Sequence, residues 1–160
     1  MGTVYTRHEL QEKRRQWKST GARVVFTNGV FDILHRGHVE YLNTAKTFGD
    51  ILIVGVNSDA SVHRLKGDLR PIVNEGDRAY IVSQLASVDA VCMFEDDTPL
   101  ELITSLLPDV LVKGADYTLD TIVGRDVVEK SGGSVHTIQL VPNISTSTIV
   151  ETILGRFSKK

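Results

Sequence analysis

Five short apolar runs recur along the chain, at residues 23–27 (RVVFT), 51–56 (ILIVGV), 89–94 (DAVCMF), 109–112 (DVLV) and 134–141 (SVHTIQLV). Each is rich in β-branched residues and too short for a helix, and apolar residues run on without alternation. That is the pattern of strands covered on both faces. Between them the period changes. Val39, Leu42, Ala45 and Phe48 recur every three residues and Gly49 closes the segment, which predicts a helix with a glycine stop. Residues 75–87 offer Ala79, Ile81, Val82 and Leu85 to one face. Residues 98–107 read as a helix with Thr98 as cap and Pro99 at the first position, where the missing N–H costs nothing. Helices are also expected at 119–131, stopped by Gly132-Gly133, and at 145–156. A polar helix over 5–18 presents Leu10, Arg14 and Trp17 near one face, with Gly21 ending it. Residues 60–74 carry few apolar positions and read as a short helix leading into a mobile basic loop.

Strand and helix alternate throughout. This predicts an α/β fold with a doubly wound, five-stranded parallel sheet. Ligands of such sheets bind beyond the C-terminal strand ends, where strand order reverses. The loops after the first, second, fourth and fifth strands are therefore where chemistry is expected.

Composition narrows the class. At 160 residues, with 41% hydrophobic and 24% charged residues, the chain reads as one globular domain with a real core, not as a disordered or fibrous protein. Eighteen basic against 20 acidic residues leave a net charge of −2, so a nucleic-acid partner is not expected. The single cysteine, Cys92, lies in an apolar run and reads as core. No apolar stretch is long enough to span a membrane, and the first 18 residues hold no apolar leader, so a cytoplasmic, membrane-free protein is expected.

The strongest chemical signal follows the first strand, in Asn28-Gly29-Val30-Phe31-Asp32-Ile33-Leu34-His35-Arg36-Gly37-His38. Two histidines flank a glycine where a loop enters a helix. Free N–H groups and the positive end of the helix dipole favour a phosphate there. The imidazoles add donors, Gly37 allows close approach, and Gly29 is expected to supply the tight turn. The histidine pair lacks a third ligand at metal spacing, so no zinc site is expected. A second signal is Ile144-Ser145-Thr146-Ser147-Thr148-Ile149, with four hydroxyls in a row at a helix start. One suffices as cap; the others are free to bind phosphate. Lys66, Arg70, Arg78 and Lys113 are isolated basic residues on the expected ligand side. There is no P-loop motif and no G-x-G-x-x-G fingerprint.

His35-x-Gly37-His38 early and Ile144–Thr148 late resemble the cytidylyltransferase-like nucleotidyltransferase superfamily, over about residues 23–154. The segments Asn28–Asp32, Arg78 with Gln84–Asp89, and Lys113-Gly114-Ala115-Asp116-Tyr117 are similar to its heptose 1-phosphate adenylyltransferase branch. The resemblance implies a single Rossmann-like domain over 21–157, preceded by an N-terminal helix over 1–20. At this length no fused sugar kinase fits, so the stand-alone form is the expectation.

The resemblance also implies a reaction: AMP passes from ATP to D-glycero-D-manno-heptose 1-phosphate by in-line displacement, and pyrophosphate leaves. Its product serves lipopolysaccharide core synthesis. His35, His38, Lys66 and Arg78 would be catalytic. Asn28, Gly29, Val30, Phe31, Lys113, Asp116, Ser145 and Thr146, with the two histidines, would bind the nucleotide. Mg²⁺ would arrive with ATP, and a homo-oligomer, a dimer or larger, is expected. Two departures stand out: Val30 replaces the threonine of many relatives, and residues 139–143 lack the arginine of cytidine-preferring ones. The alternatives are a cytidylyltransferase acting on glycerol 3-phosphate or a related alcohol phosphate, and a non-catalytic nucleotide-binding module.

Overall fold

A computed structural model describes residues 1–158. Its centre is a parallel sheet of six strands: β1 (Thr3–Val4), β2 (Val24–Gly29), β3 (Ile51–Asn57), β4 (Ala90–Phe94), β5 (Val110–Gly114) and β6 (Ser134–Ile138), in the order β1-β4-β3-β2-β5-β6. The helices are α1 (Arg7–Ser19), α2 (Arg36–Lys46), α3 (Asp59–Lys66), α4 (Glu75–Ser83), α5 (Leu100–Leu106), α6 (Arg125–Lys130) and α7 (Thr146–Phe157). The strand order reverses at β2, whose neighbours are β3 on one side and β5 on the other.

Alternation of side chains along each strand divides the core in two. Val25, Leu52, Val54, Val110 and Val112 face Tyr41, Leu42 and Ala45 of α2 and Ala79 and Val82 of α4. Val24, Phe26, Ile53, Cys92 and Leu111 face Leu10 of α1, Leu102, Ile103 and Leu106 of α5, and Val128 of α6. Cys92 is buried and free as expected, and burial pushes its thiol up to about 11. Among the described residues no helix is long and apolar enough to cross a membrane.

Four expectations are corrected. The sheet has a sixth strand, since β1 pairs with Ala90 and Val91 at the edge; two residues are too few to show a period. The helix expected over 119–131 is a single 3₁₀ turn at Leu119–Thr121 followed by the shorter α6. Gly124 separates them at φ 87°, with Ile103 packed 2.7 Å from where a Cβ would lie. The last strand ends at Ile138, level with Gly114 at the end of its only neighbour, β5. Pro99 is the cap residue of α5 rather than its first helical residue.

The N-terminal segment is tied into the sheet. Leu10 is fully buried, Trp17 packs at the margin of the same core, and Arg14 is buried between α1 and α5. Its guanidinium donates to the carbonyls of Leu106 and Leu107 and to Asp109, whose other oxygen accepts the N–H of Val24. Removing that carboxylate strips a nearly buried cation of its counter-ion and β2 of its first acceptor. We expect Asp109→Ala to cost about 2–3 kcal/mol in urea unfolding, with α1 less protected from hydrogen exchange than β3; protection equal to wild type in α1 would contradict this linkage.

Candidate active site

A cavity of about 670 Å³ opens over the C-terminal ends of β2 and β5. Of the residues singled out from the sequence, Asn28, Gly29, Val30, Phe31, His35, Gly37, His38, Lys66, Arg70, Lys113, Asp116, Ser145, Thr146 and Ser147 line it, and Arg78 and Thr148 do not. Its position is the topological reversal of the sheet, where open α/β folds bind ligands.

Helix α2 begins directly after His35, and its cap residue makes no side-chain hydrogen bond to the helix. The first N–H groups of α2 therefore lack the partner that Ser58, Asn74 and Ser145 give to α3, α4 and α7. The imidazoles of His35 and His38 stack there, with centroids 3.9 Å apart and planes 20° from parallel. The Phe31 ring packs at a tilt of 58° against His38, with centroids 5.2 Å apart. Both Nδ1 atoms are buried without a hydrogen-bond partner. Burial lowers the pKa of both rings, and with His35 beside it His38 falls to about 4. At neutral pH His38 is thus uncharged.

The second helix N-terminus comes from α7. Ser145 caps it, accepting from the N–H of Thr148 at 3.1 Å. Thr146 reaches back to the carbonyl of Ile33 at 3.4 Å. Ile144, just before α7, packs 3.2 Å from where a Gly37 Cβ would lie, and the ring of His35 is 3.0 Å from that point, so any side chain at this position would press on both. Two positive helix ends converge on one wall. Among the described residues no three His, Cys, Asp or Glu side chains gather into a metal cage.

The loop between β2 and α2 is held from behind. Phe31, not Gly29, takes the left-handed conformation, at φ 50°, while buried to 4% exposure. This corrects the expected role of Gly29, whose missing Cβ instead makes room for the Phe31 ring at 3.0 Å. A bulky residue held at positive φ is a strained turn fixed by its surroundings. Arg78 supplies part of that fixing. Its side chain is fully buried and donates to the carbonyls of Val30 and Val73 and to Asp59. Asp32, with its carboxylate 1% exposed, accepts from Arg70 at 2.5 Å and from the N–H groups of Ile72 and Val73 at 2.8 Å each. The basic loop expected to be mobile is thereby tethered to the phosphate loop, with Lys66 and Arg70 on the cavity wall.

Sequence reasoning overlooked Asp32 and saw Arg70 only as one basic residue among several. The available signal was a lone carboxylate inside Val30-Phe31-Asp32-Ile33-Leu34, where an unpaired charge would be costly.

The histidine pair makes a prediction about stability. His38 sits at about 4 in the folded chain against an ordinary 6.5, so the unfolded chain binds more protons between those values. Its contribution is intact above pH 6.5 and is lost as pH falls toward 4. Urea midpoints measured from pH 7.5 to 4 should fall more steeply for wild type than for His38→Gln; parallel profiles would contradict the buried, neutral ring.

Comparison with known proteins agrees with this geometry. The family model described as cytidylyltransferase-like matches residues 26–152, which contain both helix N-termini and the cavity wall between them. The bifunctional protein HldE of Syntrophotalea carbinolica is 52% identical over 98% of this chain, and that of Mesorhizobium japonicum is 60% identical over 82%. These alignments cover 32% and 26% of the two relatives, so the chain spans at most about a third of their length. A crystal structure titled as the lipopolysaccharide core biosynthesis protein from Thermoplasma volcanium superposes with a TM-score of 0.62 at 32% identity, covering 76% of this chain and 98% of that one. With a strained loop after β2, a paired imidazole wall and a second helix end over the sheet reversal, the chain belongs to the cytidylyltransferase-like family.

Proposed function

We propose that the protein transfers AMP from ATP to D-glycero-D-manno-heptose 1-phosphate, releasing pyrophosphate. The observation that carries the transfer is the stacked His35–His38 pair at the uncapped start of α2, opposite the start of α7. Adenine and heptose are supported by the likeness of Lys113–Tyr117 and Arg78 with Gln84–Asp89 to the heptose branch, and by the neighbour titled for lipopolysaccharide core biosynthesis. The absence of a basic residue in Gln139–Asn143 favours ATP over CTP.

In this reading a sugar phosphate oxygen attacks the α-phosphorus in line, and pyrophosphate leaves with the bridging oxygen's electron pair. No covalent enzyme intermediate is needed, because phosphoryl chemistry asks chiefly for positioning and charge neutralisation. His35 and His38 donate to the α- and β-phosphates. The start of α7, with Ser145 and Thr146, receives the far phosphate. Gly29, Val30 and Phe31 line the turn that holds the chain of phosphates, and Asn28 and Asp116 border it. Lys66, in the last turn of α3, faces the cavity as a countercharge to the phosphates. Arg78 acts as a positioning residue, through Val30 and Val73. Mg²⁺ belongs to the substrate, as MgATP, held by phosphate oxygens and water.

Pyrophosphate release measured with Mg²⁺, crossing ATP, CTP, GTP and UTP with heptose 1-phosphate anomers and glycerol 3-phosphate, tests the reading. ATP with one heptose anomer should give release. CTP with glycerol 3-phosphate as the only productive pair would replace the substrates and keep the chemistry. Release from no pair would favour a non-catalytic module. Loss of one preorganised donor costs about 10²–10³ in kcat, so His35→Ala and His38→Ala should each lose that much; full turnover in either would remove the imidazoles from the mechanism.

A further inference from the structure

Asn57 carries a buried amide of which the protein uses one hydrogen. It is the last residue of β3, one position beyond Val56, whose pairing with Gly29 is the last between β2 and β3. Only 5% of it is exposed, yet it lines the cavity. Its Nδ2 donates to the side-chain oxygen of Ser61 in α3 at 3.0 Å. Ser61 Oγ in turn donates its one proton to the carbonyl of Asp96, just after β4, at 3.1 Å. Toward Asn57 the hydroxyl therefore accepts, and this fixes which end of the amide carries the hydrogens. Among the described residues no other group bonds the Asn57 side chain, so its carbonyl oxygen and its second N–H stay free.

A buried amide with two unused groups is unfavourable unless something in the cavity completes it. One acceptor and one donor on a rigid, neutral plane match a hydroxyl, which both donates and accepts. A phosphate would use the N–H alone and set the amide oxygen against a negative charge. The nucleotide residues of the proposed reaction come from the β2–α2 loop, from the end of β5 and the turn after it, and from the start of α7. None comes from β3 or β4, which follow one another on the opposite side of β2 from β5. From β3, β4 and the segments after them, the cavity is lined by Asn57, Lys66, Arg70, Asp97 and Thr98 among others. Transfer between two substrates needs room for both, and these are the lining residues that the nucleotide leaves unclaimed. Arg70 gives its Nε to Asp32, and among the described residues its outer nitrogens bond no protein group. A free guanidinium edge and a hydroxyl-reading amide together suit a phosphorylated polyol.

We propose that Asn57 binds a hydroxyl of the acceptor sugar phosphate, and that Ser61 is the residue that positions its amide. The inference rests on the nucleotide-transfer reading of the site and adds to it a residue that selects the second substrate. Through Ser61 and the Asp96 carbonyl the amide is braced between β3 and β4, so the acceptor is held from those strands while the nucleotide is held from β2, β5 and α7.

The test is calorimetric titration of the full chain, saturated with Mg²⁺ and α,β-methylene-ATP, with each anomer of D-glycero-D-manno-heptose 1-phosphate, with glycerol 3-phosphate and with inorganic phosphate. The carbon bridge of the analogue blocks transfer, so binding is read without turnover. Wild type is compared with Asn57→Leu, which keeps the branched shape without polar atoms, and with Ser61→Ala; the affinity for the analogue alone and the melting temperature are measured for each. A ligand hydroxyl left without its partner corresponds to about ten- to a hundredfold in affinity. Asn57→Leu should weaken sugar phosphate binding by that factor, with its affinities for the analogue and for inorganic phosphate at the wild-type values. Ser61→Ala should show a smaller loss confined to the sugar phosphate, and it decides the matter if Asn57→Leu does not fold. Uptake of glycerol 3-phosphate in place of the heptose would correct the proposed acceptor, while the same loss in Asn57→Leu would still support the asparagine. Sugar phosphate affinity unchanged in both variants, or an equal loss for the analogue, would give Asn57 a structural role and overturn the inference. A wild type that takes up the analogue but no phosphorylated polyol would overturn it too and leave nucleotide binding standing. No uptake of the analogue by wild type would instead overturn the ATP reading, and this inference with it.

Discussion

Two imidazoles stacked 3.9 Å apart, with buried and unpartnered Nδ1 atoms, disfavour a positive charge on either ring unless an anion lies beside them. That constraint shapes the site around them. The start of α2 is left without a side-chain cap, the start of α7 brings a second positive end to the same cavity, and the neighbouring cations Lys66, Arg70 and Lys113 line it. Each feature is unfavourable or neutral in the empty protein. Together they fit the chain of phosphates that the proposed reaction requires.

Rigidity of this arrangement comes from groups whose polar atoms are spent on the protein itself. Arg78 is spent on backbone carbonyls of Val30 and Val73, and Asp32 gathers three donors from residues 70–73. The phosphate loop is thus clamped to the segment that carries Arg70, and the left-handed Phe31 is held against its preference. A reaction governed by positioning depends on such supports as much as on the groups that touch substrate.

Much of this was legible in the sequence, for physical reasons that can be traced. Val24 to Thr27 and Ile51 to Val56 are continuously apolar because the sheet is covered on both faces, so length and β-branching sufficed to mark them. His35, Gly37 and His38 stood out because their types and spacing serve no packing need. β1 was invisible because pairing to β4, and not its own two residues, makes it a strand. The break at Gly124 depends on Ile103 of α5, a tertiary neighbour that no local period encodes. The charge of Arg78 suggests a ligand; only its burial and its three protein acceptors reveal that the loop is its partner. Lys113 was visible as a basic residue, but its burial is a property of the fold.

On the proposed function, His38 stays uncharged and its Nδ1 unpartnered until phosphates arrive. Nitrogen-15 NMR of the imidazoles near pH 6, with and without a saturating Mg²⁺–triphosphate, reads the claim directly. His38 should be uncharged in the free protein, since burial holds it at about 4, and should take up a proton when the triphosphate binds. A His38 ring already charged in the free protein, or nucleotide binding that leaves both rings unperturbed, would contradict the account.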